Sequence, residues 1–403
     1  MAPEKILNTI ETLEELANSV PAELREDDAL RQRLLNAVQK LVPEVETPAE
    51  MSQRLLYVPC EIMGAKIGVD LDVFSMLADS KEALSTEQLT ERTGAEPALL
   101  SRLLQYMASV GQVKEAGTGE WSASNTTRVL ADRNFAAGVN HKHDNVMPGW
   151  HTLPSWLKRR GYKTPITKED TPFAQGHGAS PDQSFFGWLK EHPANAKEFN
   201  LFMGVHRTGE KTWLDQKELG DALLSHGQDA PTNGNKDGNV AFVDIGGGIG
   251  HQCLALKEKY PELAGRIVLQ DLPEVVRQAN VGDAINAMGV NFFDGQPVKG
   301  ARVYYLRSIL RNWPDGESEK ILGHIRDAMA PDSLLYIDEI VLPNRGAGKL
   351  ETQLDMTMLC MLNGEARTES HWYGLLEGLG FKVKDIVMYQ NEGCEGIIVA
   401  SKA

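Results

Sequence analysis

Cysteine is scarce. The four in 403 residues, Cys60, Cys253, Cys360 and Cys394, lie far apart with no Cys-x-x-Cys pair. That spacing argues against a disulfide scaffold and a zinc ribbon. No run approaches the roughly 18 consecutive apolar residues of a membrane span. The start, Met1 to Leu16, lacks a basic flank, an apolar stretch and a cleavage site, so no signal peptide is expected. Positive charge is in deficit: 41 Lys and Arg stand against 56 Asp and Glu, a formal net charge of −15. Such a balance repels a phosphate backbone and disfavours a nucleic-acid partner. Apolar residues make up 42% of the chain, an ordinary globular share that excludes collagen-like and disordered readings. What remains is a soluble, cytoplasmic protein that handles a small molecule without a membrane partner. At about 100–200 residues per domain it holds two or three domains.

What is present changes along the chain. In residues 13–20 and 30–41 apolar side chains recur at three and four, the spacing of amphipathic helices. They form an arm whose expected use is dimer packing. Pro43 and Pro48 are expected to break this arm from the next segment. Residues 51–130 read as a compact helical unit. A long helix and a shorter one come first, then a helix starting at Ser85 as N-cap, a helix–turn–helix over 93–111, and a hairpin over 113–124. This is a winged-helix order. Its second helix is poor in basic residues, so dimerisation or a lid over substrate fits better than DNA. Residues 135–225 are helical and rich in aromatics and histidine, and 228–239 (QDAPTNGNKDGN) read as a surface loop at a domain junction. From 240 on, six β-rich runs mostly alternate with helical segments, ending in an antiparallel hairpin around Asn391-Glu392-Gly393. The alternation predicts an α/β, doubly wound domain. The expected organisation is therefore 1–130 (all-α arm and winged helix), 131–227 (helical substrate lid or linker) and 240–403 (α/β domain).

The sharpest motif is Val243-Asp244-Ile245-Gly246-Gly247-Gly248-Ile249-Gly250, which follows an apolar strand and opens a helix. Glycines there let a ligand lie against bare backbone. A dinucleotide loop of the form G-x-G-x-x-G needs glycine at 251, and His251 stands there. Asp244 and the free amides suit a cationic sulfonium amino acid better than a pyrophosphate. Asp271 ends the next strand, 23 residues after Gly248. A doubly wound fold presents a carboxylate to a ribose diol at that place.

Val243–Gly250, Gln270-Asp271-Leu272-Pro273, Tyr304–Asp315 and Ile337–Pro343 together resemble the S-adenosylmethionine-dependent O-methyltransferases of the plant caffeate and flavonoid type. Their fungal secondary-metabolism relatives are nearest, in particular the methyltransferase-fold pericyclases of pyridone alkaloid biosynthesis. The resemblance implies a Rossmann-like methyltransferase domain, an N-terminal winged-helix dimerisation region, a homodimer and S-adenosylmethionine as cofactor. It places the cofactor on Gly246, Gly248, Asp271, the pair Asn291-Phe292 and Arg307. Asn291 replaces the family's aspartate, and its carbonyl can still accept from an exocyclic amine.

The family's catalytic histidine falls on Arg311, in Arg311-Asn312-Trp313-Pro314-Asp315. Arginine cannot act as a base near neutral pH. Of the two carboxylates that brace the family's histidine, one matches Glu339. The other falls on Ala366, with Glu365 adjacent as the alternative. The fixed donor fork of Arg311 suits a carbonyl oxygen that gains negative charge, with Glu339 as its partner. Further pocket candidates are His141 and His143, of which either can face the pocket, together with Met203, His206 and Arg207. The His-x-His spacing also invites a metal; with no matching acid or thiol set, none is expected.

Three functions are open. In the first, the cofactor site is kept and methyl transfer lost. Arg311 then binds a carbonyl, with His143 and Arg207 as partners, and S-adenosylmethionine serves as an unconsumed cation. The reaction is dehydration, hetero-Diels–Alder or Alder-ene cyclisation of a polyketide-derived pyridone or quinone methide. Asn312 stands where dehydrating members carry an acid, so carbonyl activation fits better than proton abstraction at 312. In the second, the chain methylates an already acidic hydroxyl, such as a 4-hydroxy-2-pyridone enol, with Arg311 stabilising the enolate. In the third, it is a non-catalytic dimeric regulator that senses the cofactor.

Overall fold

The computed structural model describes residues 3–205, 212–224, 240–389 and 394–403. His206, Arg207, the 228–239 loop and the turn at 391–393 lie outside the described residues. The chain divides into two compact units, Met1–Val73 with Ser80–Ser124, and Phe74–Asp79 with Asn125–Ala403.

The first unit opens with helices Pro3–Asn18, Ala22–Glu26, Asp28–Val45 and Pro48–Asp70. Pro43 does not break the arm as expected: it lies inside the third helix, close to its end. A proline so near the C-terminus removes one intrahelical bond and leaves only a short stub beyond it. The chain turns instead at Glu46 and Thr47. Thr47 and Glu50 form a reciprocal capping box, and Pro48 takes the first helical position, where its missing N–H costs nothing. Ser85 caps its helix in the same way through Gln88. Helices Thr86–Thr93 and Pro97–Ser109 pack with strands β1 (Leu84–Ser85), β2 (Lys114–Gly117) and β3 (Glu120–Ser122), ordered β1-β3-β2 and antiparallel. Leu89, Leu100, Leu104, Met107 and Trp121 are buried in this winged-helix core. On the long helix, by contrast, Leu55 and Leu56 are 72% and 70% exposed.

The second unit is built on one sheet. Its strands are β4 (Phe242–Ile245), β5 (Ile267–Asp271), β6 (Ile285–Gly289), β7 (Val303–Arg307), β8 (Leu334–Leu342), β9 (Arg367–Thr368), β10 (Phe381–Met388) and β11 (Glu395–Lys402). The order is β10-β11-β8-β7-β4-β5-β6, with β9 alongside β8. The strands from β6 to β8 run parallel, and β11 and β10 add an antiparallel edge. Alternation along each strand feeds two cores. Val243, Ile245, Tyr304, Leu306 and Ile337 pack on one face against Ile321, Ile325, Trp372 and Leu376. Phe242, Leu269, Tyr305 and Tyr336 pack on the other against Trp213, Leu219, Leu223 and Leu256. Helices thus cover both faces, as a doubly wound sheet requires. The six β-rich runs each hold a strand. The pattern missed β6, whose short sequence Ile-Asn-Ala-Met-Gly carries only one buried residue, Ile285, because it is an edge strand.

Candidate active site

Strand order reverses between β4 and β7, since β5 and β6 lie to one side and β7 and β8 to the other. Ligands of open α/β sheets bind at the carboxyl ends of the strands at such a point. The glycine loop leaves β4 there. The Gly246 and Gly247 amides both donate to the Gln270 carbonyl, at 2.8 and 3.1 Å. Gly248 has φ +62°, and no described residue stands within 4 Å of where a Cβ would be, so its open side faces a cradle rather than the core. Its N–H donates to Asp271 Oδ2 at 2.8 Å, while Asp271 Oδ1 takes the Leu272 N–H at 2.7 Å. Partial burial raises the Asp271 carboxyl, and the two amides pull it back. Asn291 follows β6; its Oδ1 accepts the Phe293 N–H at 3.1 Å and keeps a second lone pair. Phe292 and Phe293 stand edge-on to the Trp313 ring, at 5.9 and 4.6 Å between centroids. Asp244 is almost wholly buried under the loop. Its carboxyl is pushed up to about 7 by burial and accepts the Cys253 thiol at 3.4 Å. Arg307 ends β7 and lies 3.5 Å from Asp338, which also accepts the hydroxyls of Tyr305 (2.5 Å) and Tyr389. An open glycine cradle, a carboxylate fastened to it and an aromatic wall with an amide beside it fit a nucleoside-bearing amino acid.

The second half of the site is the turn after β7. Ser308 takes a left-handed φ of 55°, which a non-glycine residue rarely adopts, and its N–H donates to the Asp338 carbonyl at 3.0 Å. The chain then enters a single 3-10 turn, Leu310–Asn312. Arg311 is mostly buried. Its N–H donates to Glu339 Oε1 at 3.2 Å, and its Nε lies 3.8 Å from Glu339 Oε2. That second distance is an ion pair beyond direct hydrogen-bond reach. Glu339 is buried, and among the described residues its Oε2 has no hydrogen-bond partner. Burial pushes its carboxyl up, against the pull of Arg311. Asn312 turns its amide back onto the Ser308 carbonyl at 2.9 Å. Glu365, the alternative second brace, faces elsewhere: Oε1 lies 3.5 Å from Arg367 Nε and 3.7 Å from His371 Nε2. The Ala366 N–H donates to Asp355. Among the described residues, of these two candidate braces it is Glu339 that pairs with Arg311.

In the helical layer, His141–Val146 form a π-helical turn, with the Met147 N–H reaching back to the Lys142 carbonyl. Such turns recur at functional sites. His141 is buried among Phe185, Phe199 and Phe202, with Nδ1 2.9 Å from the Asn145 amide. Burial holds it down to about 3, so it stays neutral and is committed to packing. His143 keeps a partly exposed ring, with Nδ1 2.7 Å from Asp144. Met203 is exposed on helix Pro193–Val205.

Lys168 has no motif around it and was not expected at the site. Its Nζ lies 2.7 Å from the Trp313 ring centroid, and burial lowers it to about 7. Asn363 holds that stretch by donating to the Thr167 and Glu169 carbonyls, a contact no local pattern carries. Among the described residues one acid–histidine cluster has the spacing of a metal site, Asp315, Glu365 and His371. There Arg367, 2.8 Å from Asp315, already supplies the positive charge.

Family profiles match twice: the O-methyltransferase domain over residues 233–382, and the O-methyltransferase dimerisation domain over 61–132. The chain is 36% identical over 375 residues to the O-methyltransferase ucdC of Aspergillus ustus, covering 93% of this chain and 95% of that one. It superposes on the solved structure described as "A Pericyclic Reaction enzyme" with TM-score 0.83 and 33% identity, over 99% and 100% of the two chains. On LepI in complex with SAM the TM-score is 0.84 with 32% identity, over the whole of both chains. The chain belongs to the O-methyltransferase family, as an S-adenosylmethionine-dependent enzyme of methyltransferase fold of the fungal secondary-metabolism type.

Proposed function

We propose that the chain is an O-methyltransferase for an already acidic hydroxyl, an enol or activated phenol of a secondary metabolite, which it holds as the anion on Arg311. The observation that carries this is a guanidinium, backed by buried Glu339, at the position where the family keeps a base. A guanidinium takes no proton, and a hydroxyl already ionised near neutral pH needs none removed. The donor fork holds the oxyanion at a fixed point and excludes water from it. Bound in the glycine cradle, S-adenosylmethionine supplies a positive sulfonium and a transferable methyl. Gly246, Gly248 and Asp271 would hold it at the amino-acid and ribose end, and Asn291 and Phe292 at the adenine. The family match and the activity named for the Aspergillus ustus relative support this order of preference.

A second reading keeps the pericyclase expectation. Its support is the same Arg311, polarising a carbonyl, and the likeness to a structure described as a pericyclic reaction enzyme. There His143, with its partly exposed ring, is the candidate base. In both readings the chain works as a homodimer through the region of the dimerisation profile, 61–132, with the exposed Leu55 and Leu56 just ahead of it adding apolar surface.

The deciding experiment tracks cofactor and product together by mass spectrometry, with 4-hydroxy-2-pyridones, activated phenols and quinone-methide precursors. S-adenosylhomocysteine formed one-for-one with a methylated product is expected. Isomerised or dehydrated product at constant S-adenosylmethionine overturns the first reading in favour of the second.

A further inference from the structure

Three carbonyls of the Arg311 turn are tied to one short segment, residues 364–367. Arg367 is fully buried. Its Nη1 donates to the Leu310 carbonyl at 3.0 Å, and its Nη2 to the Trp313 carbonyl at 2.9 Å and Ser318 Oγ at 3.1 Å. Its Nε donates to Asp315 Oδ1 at 2.8 Å. The Glu365 N–H donates to the Arg311 carbonyl at 3.0 Å. A Cβ on Gly364 would stand 2.1 Å from that same oxygen, so the approach excludes any side chain there. From the opposite side, Glu339 holds the Arg311 N–H. Both backbone polar groups of Arg311 are thereby fixed, and the carbonyls flanking it are pinned by one planar fork.

A buried guanidinium is costly unless its charge and donors are matched. Asp315 and Glu365 match the charge, and the Trp372 ring lies 5.1 Å from its centre. Among the described residues its hydrogen bonds all go to 310–318, and it is closed to solvent, so it is placed to hold this turn rather than a ligand. The main chain of a 3-10 turn sets the Cα–Cβ direction, so the lock that fixes the turn also fixes the point from which the Arg311 guanidinium reaches.

We propose that Arg367 is a positioning residue, setting the reach of Arg311 through the main chain of 310–315. This rests on Arg311 being the group that receives the substrate oxygen. The test is a double-mutant cycle on the full chain, with a 4-hydroxy-2-pyridone as probe substrate and calorimetry for S-adenosylmethionine. Arg367→Gln is expected to lower kcat at least about tenfold, with cofactor Kd within about threefold, as loss of a well-placed oxyanion donor does. In the Arg311→Ala background the same change is expected to cost less than about twofold, since residues acting as one unit are not additive. Arg367→Lys, which keeps the charge but not the fork, is expected to fall between Arg367→Gln and wild type. Full additivity of the two changes, or a kcat for Arg367→Gln within about twofold of wild type, overturns the proposal. If Arg367→Gln does not fold, Arg367→Lys, which keeps the charge, is run through the same cycle; additivity there overturns it equally. Unchanged turnover in Arg311→Ala sinks the functional reading instead, whatever Arg367→Gln does.

Discussion

The glycine loop and the Arg311 turn stand on the same edge of one sheet and are held in opposite ways. The loop is fastened by neighbours in the pattern: Gln270 and Asp271, at the end of the adjacent strand, take three of its amides. The turn is fastened by residues far along the chain, Glu339 on β8 and the 364–367 segment. On the proposed reading the loop meets its ligand with main chain and with the Asp271 carboxylate fastened to that main chain. On the same reading the turn meets its ligand with one side chain, carried on main chain that a remote segment locks. A fold built this way can keep its cofactor while changing its chemistry.

That contrast breaks most visibly at Arg311. Arg311→Ala is expected to lower kcat by about 10²–10³, the usual cost of one oxyanion donor, and to leave cofactor Kd within about twofold. Steady-state rates with calorimetry check both halves. Asp271→Ala is the mirror image. Losing a charge-assisted bond worth about 1.5–3 kcal/mol should weaken cofactor binding roughly 10–100-fold, with kcat at saturating cofactor within about threefold. If Asp271→Ala cuts kcat as deeply as Arg311→Ala does, the two halves are not separable.

Asp244 sharpens the comparison through stability. Its folded carboxyl sits at about 7 against an ordinary 3.8, chiefly from burial. The folded state therefore binds a proton that the unfolded state has lost. Stability falls as pH rises between those values, and the loss is complete above about 7. Asp244→Asn should remove that slope, raising Tm by at least about 2 °C relative to wild type at pH 8 and by little near pH 4. Scanning calorimetry at the two pH values checks it; equal shifts at both contradict the assignment. The smallest effect is expected from His143→Gln. Methyl transfer to a pre-ionised hydroxyl should stay within about threefold, because no base is needed. A loss beyond about tenfold points to His143 as a base and to the second reading.

The legible parts were those carried by short-range pattern. Apolar alternation and the glycine loop located β4, β5, β7, β8 and the terminal hairpin, and Ser85 announced its helix through Gln88. Pro43 misled because a proline deep in a helix and one near its end look alike in sequence. In the site, Asp271 was readable from its spacing, whereas the split between His141 and His143 was not. Which ring is buried is decided by Phe185, Phe199 and Phe202, more than 40 residues away. Arg367 and Lys168 were illegible for the same reason. Their meaning lies in a contact with the 310–318 segment, and nothing beside them in sequence marks it.

The π turn at His141–Val146 has a consequence for sequence length. It accommodates a residue more than an α turn would. Removing one residue between Gly138 and Met147 would let the stretch relax into an ordinary α turn, which closes the same rotation with one residue fewer and leaves what lies beyond it on its present face. Leu153 and Trp156, now buried, would stay turned to their present side. Here a change of one residue in length is absorbed in the turn itself, so a relative one residue shorter keeps the same downstream side chains facing inward and differs only within His141–Val146.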